Sequence, residues 1–162
     1  MKTKIKILSL EEALDVVEKG KTDYNIVSIR DKEQPSVYKL FDDNRANYND
    51  LIWEEFDDIE APRRGDNLVK KEQIERLLDW ARDKDNLIVH CTAGVSRSSA
   101  MAYLIVCMKE GIPEALSILN YIYHCPNRYL IYAGSKILGN DEIYNQFVVW
   151  YNDQKEKLEK YL

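Results

Sequence analysis

Two histidines, three cysteines, four prolines and six glycines are spread over 162 residues, and each scarcity excludes something. Three cysteines are too few, and odd in number, for a disulfide framework, so a reducing cytoplasm is the expected compartment. Each histidine precedes a cysteine, in His90-Cys91 and His124-Cys125, yet no ligand spacing supports zinc. No metal and no cofactor are expected. No apolar run approaches the roughly 20 residues a bilayer span needs. The start, Met1-Lys2-Thr3-Lys4-Ile5-Lys6, lacks the apolar stretch of a signal peptide. Basic residues are outnumbered, 23 Lys and Arg against 28 Asp and Glu for a net charge of −5. A chain with no wide basic field has neither nucleic acid nor an acidic membrane as its expected partner. With no repeat, low-complexity tract or Gly/Pro-rich linker, residues 1–162 read as one domain and a monomer.

What is present is ordinary for a globular protein, 45% hydrophobic and 31% charged residues. Strands and helices alternate along it. Ile5–Leu8 reads as a strand, and Ser9-Leu10-Glu11-Glu12 as a capping box opening a helix. Leu10, Ala13, Leu14 and Val17 share one helical face before Gly20. Tyr24–Ile29 is a second strand ended by Arg30-Asp31-Lys32-Glu33, and Gln34–Asp50 reads as loop with one edge strand. Leu51–Phe56 resumes strand character. Lys70–Lys84 is an amphipathic helix with Ile74, Leu77, Leu78 and Ala81 inward, leading to the apolar strand Asn86–Val89. An apolar helix then runs from Arg97 to about Glu110 and stops at Gly111. Pro113 suits the start of a helix over Glu114 to about His124, and Asn127 caps another that ends near Gly139. Asp141–Leu162 closes the chain as a helix with Ile143, Phe147, Val148 and Tyr151 on its apolar side. Cys107 and Cys125 are assigned to the core. The alternation implies an α/β fold, a central, mostly parallel sheet of four to five strands flanked by helices.

The stretch Val89-His90-Cys91-Thr92-Ala93-Gly94-Val95-Ser96-Arg97-Ser98 organises the rest. Cys91 ends a strand, and Arg97, six positions on, opens a helix. Unpaired amides and the positive end of the helix dipole meet there, so the place suits an anion and favours a thiolate over a thiol. Gly94 supplies the backbone angles a loop needs to curl its amides toward one point. Arg97 is forked and permanently charged, matching two oxygens of a phosphate. The backbone of Thr92, Ala93, Gly94, Val95, Ser96 and Arg97 thus forms a phosphate cradle with a nucleophile at its floor.

His90-Cys91-x-x-Gly94-x-x-Arg97-Ser98 resembles the active-site signature of the cysteine-dependent protein-tyrosine phosphatases, and the strand–loop–helix setting agrees. The resemblance spans roughly Tyr24 to Gly139. Its Pro126-Asn127 pair followed by a helix is similar to the small dual-specificity-like members. It implies the phosphatase fold and hydrolysis of phosphotyrosine, with phosphoserine and phosphothreonine as further candidates, in a phosphorylated protein or peptide. Cys91 would form a phosphocysteine intermediate, Arg97 would hold the phosphoryl oxygens, Ser98 would donate to the sulfur, and His90 would support the loop. The same resemblance places a general-acid Asp on a loop somewhat over thirty residues before the cysteine, a distance both Asp57 and Asp58 satisfy. If Phe56 faces the core, strand alternation gives Asp58 the same direction, so Asp58 is favoured and Asp57 is the alternative acid. Arg63 and Arg64 either steer acidic peptide flanks or form a solvated face.

Two rival readings stand beside this one. Ile26-Val27-Ser28-Ile29-Arg30-Asp31 is similar to a strand of rhodanese-like sulfurtransferases, although the Gly-His pair expected of that family is missing. A phosphotyrosine-binding module that keeps the cradle without turnover would carry the same residues. Thr92, Ala93, Val95 and Ser96 include no Lys, so the basic groups suited to polyphosphorylated inositides are absent from the loop.

Overall fold

The computed structural model describes residues 3–62 and 65–162. Four strands, β1 (Ile5–Ser9), β2 (Asn25–Arg30), β3 (Asp50–Glu55) and β4 (Leu87–Cys91), form one sheet in the order β1-β4-β2-β3, parallel at every pairing. The α/β expectation therefore holds, with a four-stranded sheet. Parallel strands need crossover connections, and the helices supply them on both faces.

Alternation along the strands sorts side chains between two cores. Val27, Ile29, Leu87, Val89 and Cys91 face helices α3 (Lys71–Ala81), α4 (Arg97–Glu110), α5 (Ile112–Ser117), α6 (Arg128–Ile137) and α7 (Glu142–Glu159). Ile26 and Ile88 face the smaller layer of α1 (Leu10–Glu18) and α2 (Pro35–Asp43). Helix α4 is the centre of the larger core, its residues from Arg97 to Val106 all buried. The capping box at Ser9 forms as expected, Ser9 N–H donating to Glu12 Oε1 at 3.0 Å and Glu12 N–H to Ser9 Oγ at 3.1 Å.

Three expectations are corrected. Gln34–Asp50 is not a loop with an edge strand: residues Pro35–Asp43 form α2, followed by a short 3₁₀ turn at Arg45–Asn47. Pro35 sits at the helix start, where its missing N–H costs nothing, and Tyr38 and Phe41, three apart, are the buried pair. The helix predicted over Glu114 to about His124 ends at Ser117. Beyond it Asn120 Oδ1 accepts from Ile122 N–H at 2.9 Å, an alternative to helical bonding that turns the chain. As a result Cys125 lies exposed on an irregular segment rather than in the core, while Cys107 is half-buried.

Candidate active site

The carboxyl ends of β2 and β4 meet the amino end of α4, and the site is built where they meet. In β4, Val89 and Cys91 face α4 while His90 faces α2. Cys91 is 2% exposed and borders the core, but its thiol turns to the helix end: Sγ–H donates to Ser98 Oγ at 3.2 Å, a bond that reverses for a thiolate. The loop Thr92–Ser96 joins the strand to α4. Among the described residues, no acceptor takes the backbone N–H of Thr92, Ala93, Gly94, Val95 or Ser96. The loop's carbonyls, by contrast, anchor it outward. Thr92 C=O accepts from Leu10 N–H at 3.2 Å, Val95 C=O from Cys125 N–H at 3.1 Å, and Ser96 C=O from Asn127 N–H at 3.1 Å. Carbonyls tied to neighbouring segments and amides left without acceptors are the hydrogen-bonding pattern of an anion nest.

Gly94 is required twice over. Its φ is +72°, and a Cβ there would lie 2.6 Å from Ser9 N and 2.7 Å from Leu8 C, backbone atoms that cannot turn aside.

Arg97 is buried, 5% exposed, and held from two sides. Nη1 donates to Asp31 Oδ1 at 2.7 Å and to the Phe56 carbonyl at 2.8 Å, and Nη2 reaches Asp31 Oδ2 at 3.4 Å. Nε is buried with no acceptor among the described residues. Burial works against the guanidinium's charge, but the Asp31 bonds and charge, with smaller help from Cys91 and Asp58, raise its pKa above the ordinary value. Asp31 follows the same logic. Burial pushes its carboxyl up, and hydrogen bonds from Arg97 and Thr92 together with the Arg97 charge outweigh that and hold it below the usual 3.8. Thr92 Oγ1–H donates to Asp31 Oδ2, and Tyr38 Oη accepts from Asp31 N–H at 2.7 Å.

The two carboxylates left open by the sequence are separated here. Asp58 Oδ1 accepts from Ser96 Oγ–H at 2.7 Å and from Asn127 Nδ2–H at 2.9 Å, which places it against the loop. Asp57 Oδ2 accepts from Asn67 N–H at 2.8 Å and closes the base of its own loop. Phe56 is 1% exposed and faces the core, which is the premise of the alternation argument; the strand itself ends at Glu55. Asn127, 3% exposed, also caps α6 through Oδ1 to Leu130 N–H at 2.9 Å and bonds the Ile59 carbonyl at 3.1 Å. One side chain thus joins the loop that carries Asp58 to α6, and the Asn127 backbone N–H ties both to the Thr92–Ser96 loop. Arg63 and Arg64 lie outside the described residues.

His90 is fully buried and stacks on Phe41, ring centroids 5.2 Å apart. Burial, with the charges of Arg30 and Arg97, lowers its pKa to about 4 against the bond to the Cys91 carbonyl, so it is neutral near pH 7. His124 is half-buried and its Nδ1 accepts from Asn120 N–H at 3.0 Å, a turn contact rather than a site contact. Asp31, Tyr38 and Ser28 were not singled out from sequence. The signal available was topological, since the carboxyl ends of adjacent parallel strands converge on one crevice.

The sequence matches no protein-family model and no curated protein. Its fold does have solved relatives. Tk-PTP in its active form superposes with a TM-score of 0.54 over 84% of this chain and 90% of its own, at 16% identity. The human tyrosine phosphatase-like serine/threonine/tyrosine-interacting protein gives 0.52 over 80% of this chain and 84% of its own, at 15% identity. With a parallel sheet, a Cys91-to-Arg97 loop at its carboxyl edge and these two likenesses, the chain has the protein-tyrosine-phosphatase fold.

Proposed function

We propose that the protein is a phosphomonoester hydrolase acting on phosphotyrosine in proteins or peptides, with phosphoserine and phosphothreonine as further substrates, through a phosphocysteine intermediate. The observation that carries this reading is the buried, unpartnered Nε of Arg97 beside a loop of five unpaired amides and the Cys91 thiol. A buried donor without an acceptor is costly, so a site that keeps one is built for an anion that arrives.

The roles follow from charge. Cys91 as thiolate attacks phosphorus in line, forming the S–P bond as the P–O bond to the tyrosyl group breaks. The amides of Thr92 to Arg97 and the Arg97 guanidinium take the three equatorial oxygens. Asp58, as carboxylic acid, gives its proton to the departing oxygen. As carboxylate it then takes a proton from water, which breaks the S–P bond and releases inorganic phosphate. Ser98 Oγ–H is in place to donate to the sulfur as it leaves. Asp57 is the alternative acid, but its tie to Asn67 turns it toward its own loop. No metal or cofactor takes part in this scheme. All three cysteines are free, and no helix among the described residues is long and apolar enough to cross a membrane. A monomer working in the cytoplasm is part of the proposal.

Turnover of phosphotyrosyl, phosphoseryl and phosphothreonyl peptides and of phosphoinositides, measured with a strong chelator present, tests the reading. Phosphotyrosyl turnover is expected, and Cys91→Ser should abolish it while keeping phosphate-site binding. Turnover surviving in Cys91→Ala removes the nucleophile. Binding of phosphotyrosine with no turnover selects a binding module, and sulfur transfer from thiosulfate selects a sulfurtransferase.

A further inference from the structure

On the face of the sheet opposite Cys91, a hydrogen-bonded chain runs from the surface to the start of the phosphate loop. Arg30, at the end of β2, donates from Nε to Ser28 Oγ at 3.0 Å. Ser28 Oγ lies 2.6 Å from His90 Nε2, and His90 Nδ1 lies 3.3 Å from the Cys91 carbonyl. Ser28 and His90 are both fully buried. We propose that Arg30 is a positioning residue for the phosphate loop: through Ser28 it fixes His90 as its Nδ1–H tautomer, and His90 thereby orients the Cys91–Thr92 peptide. This rests on the phosphatase reading for its consequence, though not for its geometry.

The two ends of the chain dictate the direction of everything between them. A guanidinium N–H can only donate and a carbonyl oxygen can only accept. Ser28 Oγ accepts from Arg30, and its single proton is given to His90 Nε2, which is an acceptor when Nδ1 serves the Cys91 carbonyl. Nδ1 must carry the ring proton to serve the Cys91 carbonyl. The neutral ring has one proton to place, and burial with two nearby guanidinium groups keeps it neutral near pH 7. The opposite tautomer would point a lone pair at the Cys91 oxygen and an N–H at the Ser28 hydroxyl.

The consequence at the loop comes from peptide geometry. In a planar trans peptide the C=O and N–H point in opposite directions. Holding the Cys91 carbonyl toward His90 turns the Thr92 N–H away from His90, to the face where the Cys91 side chain lies. Arg30 itself is clamped. Its guanidinium sits 4.8 Å from the Tyr38 ring centroid, 4.9 Å from Trp53 and 5.9 Å from Phe41. Burial is the main influence on its own proton affinity, followed by the charges of Asp42, Tyr38 and Tyr48. The charges bearing on His90 are Arg30 and Arg97. A guanidinium packed among three rings is an immobile donor, which is what fixing a tautomer requires.

The test is ¹⁵N NMR of the His90 imidazole in the full chain, together with affinity for inorganic phosphate. Arg30 is half-exposed, so Arg30→Met, whose side chain can lie against the same rings, is expected to fold; Arg30→Lys keeps a cationic donor, and Ser28→Ala is the second route to the same break. The parent should show the Nδ1–H pattern. Arg30→Met and Ser28→Ala should shift it toward Nε2–H and weaken phosphate binding about tenfold, the scale of one ordinary hydrogen bond, with partial recovery in Arg30→Lys. An unchanged His90 pattern in both Arg30→Met and Ser28→Ala overturns the inference, as does a changed pattern with undiminished phosphate affinity. Absent phosphate binding in the parent would count against the phosphatase reading, and the imidazole spectra would still decide whether Arg30 sets the tautomer.

Discussion

Asp31 Oδ1 and Arg97 Nη1 lie 2.7 Å apart, with the arginine side chain 6% and the aspartate side chain 21% exposed. The pair joins the carboxyl end of β2 to the first turn of α4, sixty-six residues apart in the chain. It holds one edge of the guanidinium and leaves Nε with no acceptor among the described residues. The cation is thereby fixed in place by the protein alone, the preorganisation that electrostatic stabilisation of an anion requires.

Asp31→Ala should therefore harm both stability and the site. Breaking a buried pair by removing one partner costs roughly 3–5 kcal/mol, and the partial exposure of Asp31 puts this case at the lower end. Asp31→Asn keeps an acceptor and should lose less. Urea unfolding and phosphate titration of both variants check this, and an Asp31→Ala protein as stable as its parent would mean the pair is not formed in solution.

Asp58→Asn should slow aryl phosphates with poor leaving groups far more than activated ones, while Asp57→Asn should slow both little. The slope of log rate against leaving-group acidity is the measurement. Equal losses across leaving groups would move the proton donor elsewhere.

Stability should fall in two stages on acidification. His90 has an ordinary pKa of 6.5 and a folded one of about 4. Between those values the unfolded chain binds the proton and the folded one does not, so stability is full above 6.5 and declines toward 4. His124, also lowered by burial, adds in the same direction. Asp31, held below 3.8, contributes stability that is present above that value and lost as pH falls through its folded pKa. Thermal midpoints from pH 7 to pH 3 check both stages. His90→Asn should flatten the upper one and Asp31→Ala the lower.

Two glycines should fail for different reasons. In Gly94→Ala the added carbon meets Ser9 and Leu8 backbone at a positive φ, so the loop must move and phosphate affinity should drop. In Gly134→Ala the carbon meets Leu104 Cδ2 at 2.6 Å and Cγ at 3.0 Å, on a fully buried side chain between α6 and α4. Alanine's helix propensity gains about 1 kcal/mol and overpacking costs about 1–3, so net destabilisation of about 1 kcal/mol is expected with phosphate affinity kept. Melts and phosphate titrations of the two variants separate these effects.

Where a local rule governs, sequence and structure agree. The capping box at Ser9, the Asn127 cap and the stop at Gly111 depend on neighbours a few residues apart, and all three form. Helix α2 escaped because its burial rests on only Tyr38 and Phe41, in a stretch rich in Asp and Asn. The helix over Glu114 to His124 was over-extended because Asn120 binds its own backbone in competition with the helix.

The loop was legible in the chain alone. The order of Cys91, Gly94, Arg97 and Ser98 between an apolar strand and an apolar helix places a thiol and a guanidinium at a helix amino end by local geometry. Its surroundings came from contacts distant in the chain. The tertiary structure brought Asp31 to Arg97, set Asn127 and Ser96 against Asp58 rather than Asp57, and lined up Arg30, Ser28 and His90 behind the cysteine. Those contacts cross between strand ends and loops far apart in the chain. They exist because a parallel sheet in the order β1-β4-β2-β3 draws the carboxyl ends of β2 and β4 together, a pairing no local pattern of residues encodes.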